Sequence, residues 1–163
     1  MNKSLSTFVI VGVLLIALAW AVGGHEISDY TPYYFQRILG KSAKVENRGQ
    51  VFKVEVARSD RAKAKGLSNR KKLPREKGML FVFDKPGIYE FWMKDMLVPL
   101  DIVWINGSKI VDISRSVSPP AKNAEPPKVQ PKSPVQYVLE VYAGAASSWQ
   151  IGDSVDITFD KWF

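Results

Sequence analysis

Short runs in which apolar and polar residues alternate, cut by turn-forming residues, restrict the fold of this chain more than any other feature. Val51–Ala57 places Phe52, Val54 and Val56 on one side and Val51, Lys53, Glu55 and Ala57 on the other, the alternation of a half-buried strand. Met79–Phe83, Tyr89–Trp92, Leu100–Ile105, Lys109–Val117, Val135–Val141 and Ser154–Phe159 are further short apolar or alternating runs. Asp84-Lys85-Pro86-Gly87 and Asn106-Gly107 separate successive runs, and the Asn-Gly pair is a strong hairpin signal. The pattern predicts a mainly β domain, a compact antiparallel β sandwich or barrel-like fold with one or two short helices. One helix is expected at about residues 60–65, where Ser59 can cap it, Asp60 suits its first turn and Gly66 stops it. Ala143–Trp149 offers another turn or two. Six of the chain's ten prolines fall between Pro119 and Pro134, so residues 118–134 are expected as an exposed loop with neither strand nor helix.

The amino end follows a different rule. Ser4–Gly24 holds 21 residues without a formal charge, and Phe8–Val22 within it is an unbroken apolar run of 15. As a helix the uncharged span would reach roughly 32 Å, close to the thickness of a bilayer core. The apolar run alone has the length of a signal-peptide core, and Ala19-Trp20-Ala21 resembles a cleavage site. Residues 1–24 are therefore expected as a signal peptide or a membrane anchor. Lys3, the one basic residue ahead of the run, keeps the amino end inside and sends the rest outward. Residues 25–49, with Tyr30, Tyr33, Tyr34 and Phe35 around Pro32, are expected as a juxtamembrane linker, and the compact domain as residues 50–163.

Composition narrows the chemistry. With no cysteine, disulfides, thiolate nucleophiles and thiolate zinc sites are excluded. The single histidine, His25, leaves no multi-histidine metal site, so neither a metal nor a cofactor is expected. The net charge of +7 is concentrated in residues 58–77, where nine basic residues stand against Asp60 and Glu76. Behind an export segment such a patch fits an anionic lipid face or an acidic envelope polymer, and nucleic acid is not the expected partner. Among the strand carboxylates Glu55, Glu90, Asp101, Glu140 and Asp156, alternation places each toward solvent.

The segment Phe91–Val103 is the densest in chemistry. Trp92 and Met93 must face opposite ways in a strand, Lys94 beside Asp95 suits a turn, and Pro99 suits a strand start. It can serve as a pocket with an aromatic floor, a cationic tip and an acceptor, or as a crossover needed for folding. Gly66-Leu67, Gly78-Met79-Leu80-Phe81-Val82-Phe83, Phe91-Trp92-Met93-Lys94, Pro99-Leu100-Asp101-Ile102, Val138-Leu139-Glu140 and Gly152-Asp153, in that order, resemble the signature of the prokaryotic family known as domain of unknown function 192. The resemblance runs from about residue 50 to 159. It implies a compact β-rich, sandwich-like fold that often follows an export signal, and it implies no activity. Two positions depart from the family pattern: Asp95-Met96 stands where Asn-Thr is usual, and Ser68 where Met is common.

Three functions are compatible with these residues. The leading expectation is an exported or anchored β domain that binds a cell-envelope component. Arg61 and Lys94 would meet anionic groups, Trp92 would offer a stacking face, and Asp101 and Glu140 would accept hydrogen bonds. A polysaccharide hydrolase would instead need the carboxyl groups of Asp101 and Glu140 about 5–9.5 Å apart in one cleft. A structural partner domain would use Pro131-x-x-Pro134 as a docking strip.

Overall fold

Local chemistry sets the first elements. In the computed structural model, which describes residues 39–161, strands β1 (Leu39–Asn47) and β2 (Gln50–Ala57) form a hairpin. Arg48 and Gly49 turn it with φ of 50° and 77°, the left-handed pair that matches the twist of a two-residue hairpin. Helix α1 (Asp60–Lys65) follows, its Ser59 cap accepting a hydrogen bond from the Ala62 amide at 3.2 Å. Then come β3 (Lys77–Gly87), β4 (Phe91–Trp92), β5 (Leu100–Asn106), β6 (Lys109–Val117), β7 (Lys128–Val129), β8 (Val135–Tyr142) and β9 (Asp156–Lys161). In the β5–β6 hairpin Asn106 pairs with Lys109, so Gly107, with φ of 56°, and Ser108 make the turn.

The domain is mainly β, built on one seven-stranded sheet of order β6-β5-β8-β3-β2-β1-β9, with β4 and β7 as a separate ribbon. All pairs are antiparallel except β2–β3, whose parallel register needs the crossover through α1. The domain is mainly antiparallel, as expected, but its strands form one large mixed sheet rather than a sandwich or barrel. A bridge between Lys109 and Ser154 ties β6 to the residues ahead of β9, and no continuous ladder closes the barrel.

Both faces of the central strands are covered. On one face Phe52, Val54, Leu80, Val103 and Leu139 pack with Trp149 from the turns at 143–148 and the residues just after them. On the other, Met79, Phe81, Ile102, Trp104 and Val138 pack with Leu67, Met93, Met96 and Val98. This two-sided burial explains why Met79–Phe83 in β3 and Ile102–Ile105 in β5 read as unbroken apolar runs.

Several expectations are corrected here. The stretch expected as linker up to residue 49 contains β1, because Ala43 and Val45 alternate into the core. The proline segment is not structureless: Val129 pairs with Phe91, and Lys128 with Trp92. Pro131 is buried, so Pro131-x-x-Pro134 presents no free docking strip. Asp84-Lys85-Pro86-Gly87 continues β3 through a register shift rather than ending it. Ala143–Ser148 forms turns and no helix. The apolar run Phe8–Val22 lies outside the described residues, among which no helix is long and apolar enough to cross a membrane.

Candidate functional site

A cavity of about 250 Å³ opens on the face of the sheet that carries α1. Its walls come from the end of α1 and the turn after it (residues 63–68), from Phe81 and Phe83 of β3, from Tyr89–Trp92, from Met96 and from Glu140. Phe81, Leu67 and Met96 are buried and form the inner wall, while Trp92, 54% exposed, stands at the mouth. The aromatic rings brace one another: Phe81 meets Phe91 edge-on at 4.8 Å, and Phe83 stacks on Tyr89 at 3.6 Å. Lys63 and Lys94 ride on the rings, their ammonium groups 4.7 Å from the Phe83 centre and 5.1 Å from the Trp92 centre.

Glu140 is the polar group of the inner wall. It lies in β8 between Met79 of β3 and Ile102 of β5, and it is 6% exposed. Among the described residues no ion pair and no hydrogen bond reaches its carboxyl. Burial alone pushes its pKa up from the ordinary 4.5 to about 8. At neutral pH it is therefore largely a neutral carboxylic acid, able both to donate and to accept a hydrogen bond toward whatever enters the cavity.

Asp101 occupies a different environment. Its partner across the ladder is Val141, one residue on from Glu140, so the two carboxyl groups lie on opposite faces of the sheet. Asp101 accepts hydrogen bonds from the amides of Ser116 at 2.9 Å, Gly144 at 2.8 Å and Ala146 at 3.3 Å. Its oxygens hold the end of β6 and the turns at 143–148, and it does not line this cavity. The paired-carboxylate hydrolase fails on this geometry. Both residues also correct the expectation that alternation turns them toward solvent.

Of the residues expected to line one site, Trp92 and Glu140 meet at the cavity, and Lys94 joins through its contact with the Trp92 ring. Trp92 forms the mouth rather than the floor. Arg61 is exposed on α1 and does not line the cavity. Glu90 forms an ion pair with Lys128 at 2.9 Å, closing the β4–β7 ribbon. Phe81, Phe83 and Tyr89 line the cavity without being expected there, and Phe91 is expected only as the first residue of the dense segment. Their i, i+2 spacing around Gly87 was the available signal.

The turn at Met93–Met96 fixes Trp92 from behind. The Met93 amide bonds the Pro127 carbonyl at 2.9 Å, the Met96 amide bonds the Met93 carbonyl at 3.2 Å, and the Asp95 carbonyl receives the Asn69 amide at 2.8 Å. Asp95 has φ of 57°, a conformation in which Asn and Asp are the best tolerated of side-chain-bearing residues. Ser68 donates its hydroxyl to the Lys94 carbonyl at 3.2 Å.

The DUF192 family, described as "Uncharacterized ACR", matches residues 43–159. The chain belongs to the DUF192 family. A crystal structure of a Sinorhizobium meliloti 1021 protein, described as a candidate transcription regulator, is 26% identical with a TM-score of 0.63, covering 72% of this chain and 94% of that one. A protein of unknown function from Novosphingobium aromaticivorans DSM 12444 is 25% identical with a TM-score of 0.64, covering 82% of this chain and 99% of that one. No curated protein matches the chain.

Proposed function

We propose that this DUF192 domain is a binding module of the cell envelope, and that the aromatic cavity takes a sugar unit of an envelope component. The observation that carries the reading is the Glu140 carboxyl, buried, uncharged at neutral pH and without a protein partner, facing a cavity with an exposed tryptophan at its mouth. The Glu140 carboxyl opens onto the cavity with no donor or acceptor from the described residues, so a ligand hydroxyl or amide can bond it there. Trp92 supplies a flat apolar face suited to the C–H face of a sugar ring, and Phe81 and Phe91 exclude water behind it. The uncharged segment Ser4–Gly24 delivers the domain to the outer side of the cytoplasmic membrane, either as a cleaved signal or as an anchor.

Titrating the full chain with solubilised envelope oligosaccharides, while following tryptophan fluorescence, tests the reading. Saturable change is expected, with affinity falling about tenfold or more in Trp92→Ala, equivalent to about 1.4 kcal/mol of lost stacking. Glu140→Leu should lose binding while the fold is retained. Absence of saturable change, or the same response in wild type and Trp92→Ala, would contradict it.

A further inference from the structure

A second cleft, of about 370 Å³, lies where β1, β2 and the start of β3 meet residues 70–74. Three of its lysines stand in one row across neighbouring strands: Lys44 pairs with Lys53, and Lys53 pairs with Lys77. Paired residues share a face, and adjacent strands are about 4.8 Å apart, so the three lysine side chains leave the sheet side by side. Like charges placed directly opposite on paired strands repel, and a fold gains nothing from such a row by itself. Lys72 reaches the same cleft from the loop after α1. Among the described residues, Lys44, Lys53, Lys72 and Lys77 take part in no ion pair.

The nearby carboxylates offset the row only in part, Glu55 being held mainly by Arg70 and more weakly by the charges of Lys65 and Lys77. Glu55 is engaged by both terminal nitrogens of Arg70, at 2.5 and 2.7 Å. Asp160 accepts a hydrogen bond from Ser42 and has no basic partner among the described residues, leaving an excess of positive charge in the cleft. Only Arg70, Lys72 and Lys77 come from the basic stretch 58–77; Lys44 and Lys53 were brought in by the fold. Compact lysine ammonium groups at this spacing suit clustered phosphate oxygens.

We propose that the Lys44–Lys53–Lys77 row is a binding site for a ligand bearing phosphate groups, either a soluble oligophosphate or a phospholipid headgroup. The site is independent of the aromatic cavity and stands whether or not that cavity binds a sugar. Melting of the full chain in non-ionic detergent separates the sources. One arm compares sodium pyrophosphate with sodium chloride at equal ionic strength; the other compares micelles doped with phosphatidylglycerol or phosphatidylcholine. A rise in Tm of about 3 °C or more over the matched control is expected in at least one arm. A pyrophosphate response assigns a soluble ligand, and a response confined to phosphatidylglycerol assigns a headgroup.

Lys53→Thr should melt above wild type without the anion, since the repulsion is relieved, and should lose most of the shift. Lys44→Thr provides the same reading should Lys53→Thr not fold, and Lys71→Thr, outside the row, should keep the wild-type shift. No shift beyond the control in either arm, or an undiminished shift in the row variants, overturns the proposal. A larger shift with duplex DNA than with pyrophosphate at equal phosphate concentration also overturns it.

Discussion

Two carboxylates in neighbouring strands, Asp101 and Glu140, show how strongly surroundings decide what a residue does. Asp101 is held by three amide donors, so Asp101→Ala would strand three buried or half-buried N–H groups and loosen the turns at 143–148. A loss of roughly 3 kcal/mol or more in urea unfolding is expected, with no direct effect on the cavity. Glu140 behaves oppositely. Its pKa of about 8 when folded exceeds the ordinary 4.5, so between those pH values the folded chain retains a proton that the unfolded chain has released. Its stabilising contribution is complete below about pH 4.5 and is lost as pH rises through 8, with a slope approaching 1.4 kcal/mol per pH unit. Denaturant melts from pH 5 to 9 should show this decline, and Glu140→Gln should flatten it and be more stable than wild type at pH 8. A wild-type profile that rises across this range would contradict the assignment. Neither environment was legible in the sequence. Alternation tells which residues share a face, and only the fold tells whether that face is covered.

Among the elements, those specified by adjacent residues were readable and those completed by distant ones were not. Helix α1 appears where Ser59, Asp60 and Gly66 place it, and the β5–β6 hairpin beside Asn106-Gly107 with its turn one residue later at Gly107-Ser108, because caps and turns act within a few residues. The short β4–β7 ribbon escapes such reading: Lys128 and Val129 lie between prolines, and their partners are supplied by Phe91 and Trp92 more than thirty residues earlier. Trp92 and Glu140 were identifiable as unusual residues, whereas the cavity between them depended on α1, β3 and β4 converging on one spot. Gly78 is the clearest element-scale constraint. A Cβ there would lie 2.3 Å from the Glu140 carbonyl oxygen and 2.9 Å from Val141 Cγ1, so β3 can approach β8 only without a side chain. Gly78→Ala should therefore destabilise the domain by roughly 3 kcal/mol or more, and it should also disturb the cavity by shifting β8. Thermal unfolding followed by circular dichroism checks the first effect. Tm unchanged from wild type would show that β8 can yield.

At the scale of the molecule, one mixed sheet presents two different surfaces on the side that carries α1, an aromatic cavity with a neutral acid in its inner wall and a lysine-lined cleft. The segment Gly66–Pro74 runs between them and contributes to both. Delivery beyond the membrane is a separate prediction. A reporter fused after Phe163 should be found outside the cytoplasmic membrane, and deletion of residues 4–24 should leave it in the cytosol; equal distribution of the two forms would count against the leader. The central claim, that the aromatic cavity is a binding site, is tested most directly by amide chemical-shift mapping with soluble envelope sugars. Shifts are predicted to cluster at residues 63–68, 89–92 and 140. Saturable shifts elsewhere that leave those residues unmoved would contradict it.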